Sequence, residues 1–198
     1  MNFVVLGSIF VDVVSAGIGL LHTGTVGNAI EGFLHPLLGI DHLLAMITVG
    51  MLSAQMGGRA IWTVPTTFVS VMVIGGILGI AGVEVPFVEY GIALSVVILG
   101  VALLAKRRTP EGITMIFVGL FAIFHGHAHG AELGTVTDVM QVVAYVLGFV
   151  VATAGLHVIG ALLGYIALRN SRGALILRAS GALIALTGIY LVSAIGAA

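Results

Sequence analysis

The chain has 198 residues, of which 60% are hydrophobic and 8% are charged, and its mean hydropathy is +1.24. Soluble domains carry about 25% charged residues, so this composition excludes a soluble enzyme, a disordered chain and a nucleic-acid-binding protein. At about 20 apolar residues per span, the chain has room for six or seven membrane helices. We therefore expect an all-α, polytopic membrane helix bundle in a lipid bilayer. The absence of cysteine excludes disulfides and thiolate metal sites.

The N-terminal segment, residues 1–21, is apolar and is treated apart from the rest of the chain. Its stretch Phe3–Val11 is followed by Val14-Ser15-Ala16, a small-residue pattern that is typical of a signal-peptidase site. A secretory signal usually begins with basic residues, which this segment lacks. Two main alternatives stay open, a signal peptide and an extra N-terminal helix, and a third is a surface segment. Residues 22–198 are expected to form a single transmembrane domain.

Six further apolar runs, separated by short polar breaks, predict the core transmembrane helices. Because the connections are short, we expect helices that follow one another in sequence to be neighbours. The first helix is expected to begin at Pro36, since proline lacks the N–H group that has no partner at the first helical position. The predicted helices are Pro36–Met56, Ile61–Ala81, Phe87–Ala105, Gly112–Leu133, Val139–Leu168 and Ala174–Ala197.

All seven basic residues fall on one side of this arrangement, at Arg59, Lys106, Arg107, Arg108, Arg169, Arg172 and Arg178. The loops on the opposite side contain no Lys or Arg, and they carry Glu31, Glu84, Glu89, Glu132 and Asp138. The positive-inside rule places the basic side in the cytoplasm. We therefore expect a protein of the bacterial-type inner (cell) membrane whose acidic side faces outward.

The first of two histidine motifs, residues 35–42, reads HPLLGIDH. Ionisable residues are costly inside a membrane, so they usually mark a site or a pathway. His35 and His42 are about two helical turns apart and should project from nearly one face of a helix that begins at Pro36. Asp41 lies about 100° around the helix from His42. It can therefore ligate a metal ion or orient an imidazole on a neighbouring helix.

The second motif, residues 124–132, reads FHGHAHGAE. His125, His129 and Glu132 follow the i, i+4, i+7 spacing and line one stripe of the fourth predicted helix. Two histidines and a carboxylate on one stripe are a common metal-binding set. His127 points roughly the opposite way. The glycines between the histidines form a small-residue pair that lets another helix approach closely enough to share a ligand.

Both motifs lie in the outer half of the predicted bundle, where four imidazoles and two carboxylates can converge on one divalent cation. Imidazole with carboxylate and no thiolate suits Ni²⁺, Co²⁺, Zn²⁺, Cu²⁺ or Fe²⁺. The alternative is that these histidines cap helices and form hydrogen bonds inside the bundle. His157 is either a second station on an inward path or a hydrogen-bonded packing residue. His22 is either an outer capture ligand or a surface histidine.

These motifs resemble those of the HupE/UreJ family of nickel permeases, whose patterns HP-x3-G-x-DH and FHG-x-x-HG-x-E are matched at every fixed position. The similarity is expected to run from about His22 to the C-terminus. The resemblance implies uptake of Ni²⁺, or of Co²⁺, for nickel enzymes such as hydrogenase or urease. It leaves His127 as a variable position and implies a cleavable signal in many members. It also implies metal recognition by His35, Asp41, His42, His125, His129 and Glu132.

We therefore expect a permease rather than an enzyme, with no resident cofactor and with Ni²⁺ as transported substrate. Co²⁺ and Zn²⁺ remain alternatives, and homo-oligomer formation stays open. Since neutral imidazoles bind metal best, binding should weaken below about pH 6.5, the ordinary histidine pKa. The alternative function is an intramembrane zinc-dependent hydrolase. In that case three protein ligands would hold zinc and an activated water, and Glu132 or Asp41 would act as the base.

Overall fold

The computed structural model describes residues 25–105 and 109–197. Within these ranges the chain forms seven helices and no strand, so the all-α prediction is confirmed. The N-terminal segment 1–21, with its alternatives, and the basic residues Lys106, Arg107 and Arg108 lie outside the described residues. The helices are α1 (Thr25–Leu38), α2 (Ile40–Met56), α3 (Ala60–Ile80), α4 (Val88–Leu104), α5 (Glu111–Leu133), α6 (Val139–Arg169) and α7 (Gly173–Ile195).

Four of these helices, α3, α5, α6 and α7, are long and apolar enough to cross a membrane. Helices α1 and α2 pass the same criteria only as a bent pair, and α4, with 17 residues, is shorter than the usual span of about 20. By length and composition the described residues therefore give four spans, or five if the bent pair is one span, and the predicted count of six is not confirmed. Large apolar side chains such as Trp62, Ile116 and Leu183 are exposed on the outside of the bundle. Such a surface suits contact with lipid.

The predicted helix start at Pro36 is wrong. Pro36 lies inside α1, and the helical backbone is interrupted at Gly39, where φ is −78° and ψ is 114°. The axes of α1 and α2 are bent by 78° at this point. Proline removes one helical hydrogen bond and glycine disfavours the helix interior, so the pair breaks the helix just after the proline. As a result, His35 and His42 lie on different helices and not on one face.

The helices pair mainly with partners that do not follow them in sequence, which contradicts the expectation from the short connections. Helix α3 packs against α5, α4 packs against α7, and both α1 and α2 pack against α6. A short connection limits the distance between two helix ends, but it does not make the two helices share a long face. Helix α2 runs parallel to α6, since Ile47 lies against Gly160 and Met51 lies against Gly164.

Glycines set the close approach of α3 and α5. A Cβ atom on Gly126 would overlap the carbonyl oxygen of Met72, and one on Gly130 would overlap the carbonyl oxygen of Gly76. The two backbones are therefore in direct contact, as small residues permit in membrane bundles. The helix that packs against the glycine pair of the second motif is thus α3. It brings no metal-ligating side chain there, contrary to the expectation of a shared ligand.

The two ends of the bundle differ in charge. Arg59 follows α2 and Arg169 ends α6, so the parallel course of these helices puts both at one end. Arg59 Nη2 lies 3.8 Å from Glu111 Oε1, which brings the start of α5 to the same end. We call this the basic end. The opposite, acidic end carries the exposed residues Glu31, Glu84, Glu89, Glu132 and Asp138.

Candidate metal site

Four histidines from three helices meet near the acidic end of the bundle. His35 lies in the last turn of α1, His42 lies in the first turn of α2, and His125 and His129 lie one turn apart on α5. The ring centroid of His42 is 4.6 Å from that of His125 and 4.5 Å from that of His129. The rings of His35 and His129 are also 4.5 Å apart. The structure therefore brings the four predicted histidines into one continuous cluster.

Asp41 fixes the imidazole of the residue that follows it. Its Oδ1 accepts a hydrogen bond from the His42 backbone N–H at 2.7 Å and another from His42 Nδ1–H at 2.9 Å. A carboxylate behind one ring nitrogen is the usual second partner of a metal-binding histidine, because it sets the tautomer and leaves a lone pair on the other nitrogen. Of the two roles expected for Asp41, the geometry favours orientation, although the imidazole is on its own helix.

His42 and His129 share a short contact through their Nε2 atoms, which are 2.8 Å apart. Because His42 carries its proton on Nδ1, His129 donates the Nε2–H of this contact when no metal ion is bound. Two imidazole nitrogens that bind one metal ion at about 2.0–2.1 Å lie roughly 2.9–3.4 Å from each other. A metal ion can therefore replace the shared proton after a shift of a few tenths of an ångström.

His125 presents a free lone pair to the same region. Its Nδ1–H donates to the carbonyl oxygen of Phe121 at 3.0 Å, which leaves Nε2 as the unprotonated nitrogen. That Nε2 is buried and has no hydrogen-bond partner, and the same is true of Nδ1 of His129. Buried polar atoms without a partner are rare in folded proteins. Both lone pairs are thus available to a ligand.

Glu132 completes a second set of donors on the acidic side of the cluster. Its Oε2 lies 3.9 Å from His35 Nε2 and 3.7 Å from His129 Nδ1. Within the described ranges, His35, His129 and Glu132 are the residues whose ligand atoms all lie within 4.8 Å of one another. Two imidazoles and a carboxylate suit a divalent transition-metal ion. The Glu132 side chain is 59% exposed, so this set is open to an ion at the acidic end.

The six predicted residues therefore form two adjoining groups rather than the single centre expected from the sequence. We define the outer group as His35, His129 and Glu132, and the inner group as His42, oriented by Asp41, with His125 and His129. His129 belongs to both groups, because its Nδ1 faces Glu132 and its Nε2 faces His42. The physical reason for the division is the break at Gly39, which carries His35 on a separate helix.

Aromatic side chains from α3 and α6 enclose the histidines. The ring of Phe68 lies 5.4 Å from that of His125, and the ring of Phe149 lies 4.3 Å from that of His129. Tyr145 stacks on Phe149, and a cavity of about 60 Å³ adjoins both of them and His129. These aromatic residues were not predicted from the sequence. An aromatic residue in an apolar helix carries no signal that separates the wall of a site from ordinary packing.

His127 and the carboxylates of the acidic end lie near the histidine cluster but belong to neither donor group, apart from Glu132. His127 Nε2–H donates to the Val83 carbonyl oxygen at 2.6 Å, so this histidine holds the α3–α4 connection and does not join either group. Glu31 and Glu89 lie within electrostatic range of Glu132. Carboxylates around one opening raise the local concentration of cations. His22 lies outside the described residues.

Comparison with known proteins agrees with the motif resemblance. The family model described as "HupE / UreJ protein" matches residues 9–191, so the match begins before His22, where the similarity was expected to start. "Protein HupE" from Rhizobium leguminosarum bv. viciae is 41% identical over 181 residues, which cover 91% of this chain and 90% of that relative. No solved structure matches the chain. With its apolar helices, this integral membrane protein belongs to the HupE/UreJ family.

Proposed function

We propose that this protein is a permease that imports Ni²⁺ through the outer and inner groups. Its family membership supports a general role in nickel or cobalt transport. The donor atoms of the two groups indicate which metal ions would bind. Imidazoles with a carboxylate and no thiolate suit Ni²⁺ and Co²⁺ and do not favour Cu⁺. The imported metal would supply nickel enzymes such as hydrogenase or urease.

One observation carries the proposal, namely the cluster of four histidines in contact inside a bundle that is 8% charged. Burying these rings with unpartnered nitrogens is unfavourable for a structural role, because each such nitrogen loses its hydrogen bonds to water. A cation at the inner group removes that cost for His125 Nε2, and a cation at the outer group removes it for His129 Nδ1. The oriented tautomer of His42 leaves its remaining lone pair toward the same cluster.

The direction of transport follows from the charges at the two ends. The positive-inside rule assigns the basic end, with Arg59 and Arg169, to the cytoplasm. The acidic end then faces outward, in the orientation expected for the inner membrane of a bacterium. A hydrated ion would be attracted by the exposed carboxylates and bound by the outer group. It would then pass to the inner group through His129, the shared ligand.

Uptake of radiolabelled Ni²⁺ into proteoliposomes tests this proposal. His42→Ala and His129→Ala should lower the initial rate at least tenfold, since each removes an imidazole of the inner group. His127→Gln is the matched control, because it changes a buried histidine of α5 that belongs to neither group and keeps a donor for the Val83 carbonyl. Its rate should stay within about twofold of wild type. Equal uptake by all four proteins would refute the proposal.

The same proteoliposomes distinguish transport from zinc-dependent hydrolysis. A hydrolase would cleave a lipid ester or an amide in a Zn²⁺-dependent reaction that stops in His129→Ala, and it would not accumulate label. A permease accumulates Ni²⁺ in the lumen and releases it when the membrane is dissolved. Adding excess Co²⁺ or Zn²⁺ outside then ranks the three metals by their competition with labelled Ni²⁺.

A further inference from the structure

His157 is a buried histidine that neither donor group uses. It lies on α6, and its side chain is 2% exposed. Neither ring nitrogen has a hydrogen-bond partner, although the carbonyl of Thr153 lies near the ring outside hydrogen-bonding geometry. The hydroxyl oxygen of Thr153, one turn earlier on the same face, is likewise buried and unpartnered. A packing role leaves at least one ring nitrogen of His157 and this hydroxyl unsatisfied, which is costly inside a bundle.

Phe68 connects His157 with the inner group. The ring of this residue, on α3, lies 5.4 Å from the ring of His125 and 5.1 Å from the ring of His157. His125 turns Nδ1 to the carbonyl of the preceding turn and leaves Nε2 free, and the carbonyl of Thr153 lies one turn before His157 in the same way. Both imidazoles thus lie against the same phenyl ring.

Beyond His157 a cavity leads toward the basic end. It has a volume of about 510 Å³ between α3 and α6 and is lined by His157, with Thr66 and Ser70 among its polar residues. Its far end reaches Trp62, in the first turn of α3, and Tyr165, near the end of α6. The exposed side chains of Trp62, Leu162 and Tyr165 line it, so it opens to the outside of the bundle. His157 therefore lies between the histidine cluster and a space that extends toward the basic end.

We infer that His157 is an inner binding station for the transported divalent cation, beside the Phe68 ring that also contacts His125 of the inner group. The ligands at this station are neutral, whereas the outer group includes the carboxylate of Glu132. The station therefore binds a dication more weakly, since it lacks the Coulomb attraction of that carboxylate. Weaker binding toward the basic end suits release. This inference rests on the proposed transport function and adds a second, inward site to it.

Comparing transport with binding tests the inference. His157→Leu keeps an apolar side chain of similar size and removes the ligand. We expect its initial rate of Ni²⁺ uptake to fall at least tenfold, while the Kd of the detergent-purified protein for Ni²⁺ at the outer group stays within about threefold of wild type. Uptake within twofold of wild type would overturn the inference. His157→Gln is a second variant at this position. If both variants lose Ni²⁺ binding at the outer group as well as Ni²⁺ uptake, the inference is also overturned, because that pattern indicates a packing role.

A cysteine at the same position reports on the metal directly. The chain contains no cysteine, so His157→Cys introduces its only thiolate. With Co²⁺ as the probe, we expect a thiolate-to-metal charge-transfer band that is absent in wild type and in His157→Leu, and uptake above that of His157→Leu. A variant that takes up Co²⁺ without this band would overturn the inference. Failure of wild type to take up Ni²⁺ would instead refute the transport function itself.

Discussion

Replacing Asp41 separates the two roles that its carboxylate can play, as a metal ligand or as the residue that orients His42. In Asp41→Asn the side-chain carbonyl can still accept from His42 Nδ1–H, now as a neutral hydrogen bond. In Asp41→Ala the acceptor is gone, and a buried N–H is left without a partner. If Asp41 orients His42, the two variants should therefore weaken metal binding to different extents.

The size of each effect follows from the 2.9 Å contact between Asp41 Oδ1 and His42 Nδ1. A hydrogen bond to a charged group contributes about 1.5–3 kcal/mol and a neutral one about 0.5–1.5 kcal/mol. Asp41→Asn should therefore cost about 1–1.5 kcal/mol, which is roughly a five- to twelvefold rise in the Kd for Ni²⁺. Asp41→Ala should raise the Kd by about 100-fold, the upper end for residues that orient a metal-binding histidine.

Titration of detergent-purified protein with Ni²⁺ gives these values, and X-ray absorption of the loaded protein gives the number of ligands. Both Asp41 variants should keep the wild-type coordination number. Glu31→Gln is the control for charge, because it removes one negative charge from the exposed acidic end and touches none of the ligands; its Kd should change less than about threefold. The reasoning is refuted if Asp41→Asn and Asp41→Ala bind equally weakly, or if either loses a ligand from the coordination shell.

Two further predictions concern packing and pH. Gly126→Ala should lower the free energy of unfolding by about 1–3 kcal/mol, since its methyl group overlaps the Met72 carbonyl, and a thermal melt in detergent measures this. Gly155→Ala is the control, because nothing lies within 4 Å of its added Cβ, and it should be neutral or gain up to about 1 kcal/mol of helix propensity. Uptake of Ni²⁺ should fall as the pH drops below about 6.5, the ordinary histidine pKa, because protonated imidazole is not a ligand. A flat pH profile, or equal melting of the two glycine variants, would contradict these arguments.

The relative positions of site residues that lie on a single helix could be predicted from the sequence. The helical period alone places His125, His129 and Glu132 on one stripe and turns His127 away from it, and the structure has this arrangement. The all-α fold likewise follows from composition, because a chain with so few charges can only satisfy its backbone inside a membrane as helices or a closed barrel.

Features that depend on contacts between helices could not be predicted. Apolar residues cover most of every helix, so nothing in the sequence tells which faces meet, and the pairing of α3 with α5 was missed for that reason. Proline is favoured at a helix start and is also common near a helix break. Only the extended backbone at Gly39 shows that Pro36 lies before a break. That break placed His35 on a separate helix and divided the donors into two groups.

The break at Gly39 also makes the length of the first motif as important as its composition. His35 is one helical turn from the break, and its carbonyl oxygen accepts a hydrogen bond from the Gly39 N–H at 3.3 Å. One residue inserted between them would rotate His35 by about 100° away from His129 and Glu132, while Asp41 and His42 would keep their places on α2. The eight positions from 35 to 42 therefore tolerate neither insertion nor deletion, even of residues whose side chains contact nothing in the site.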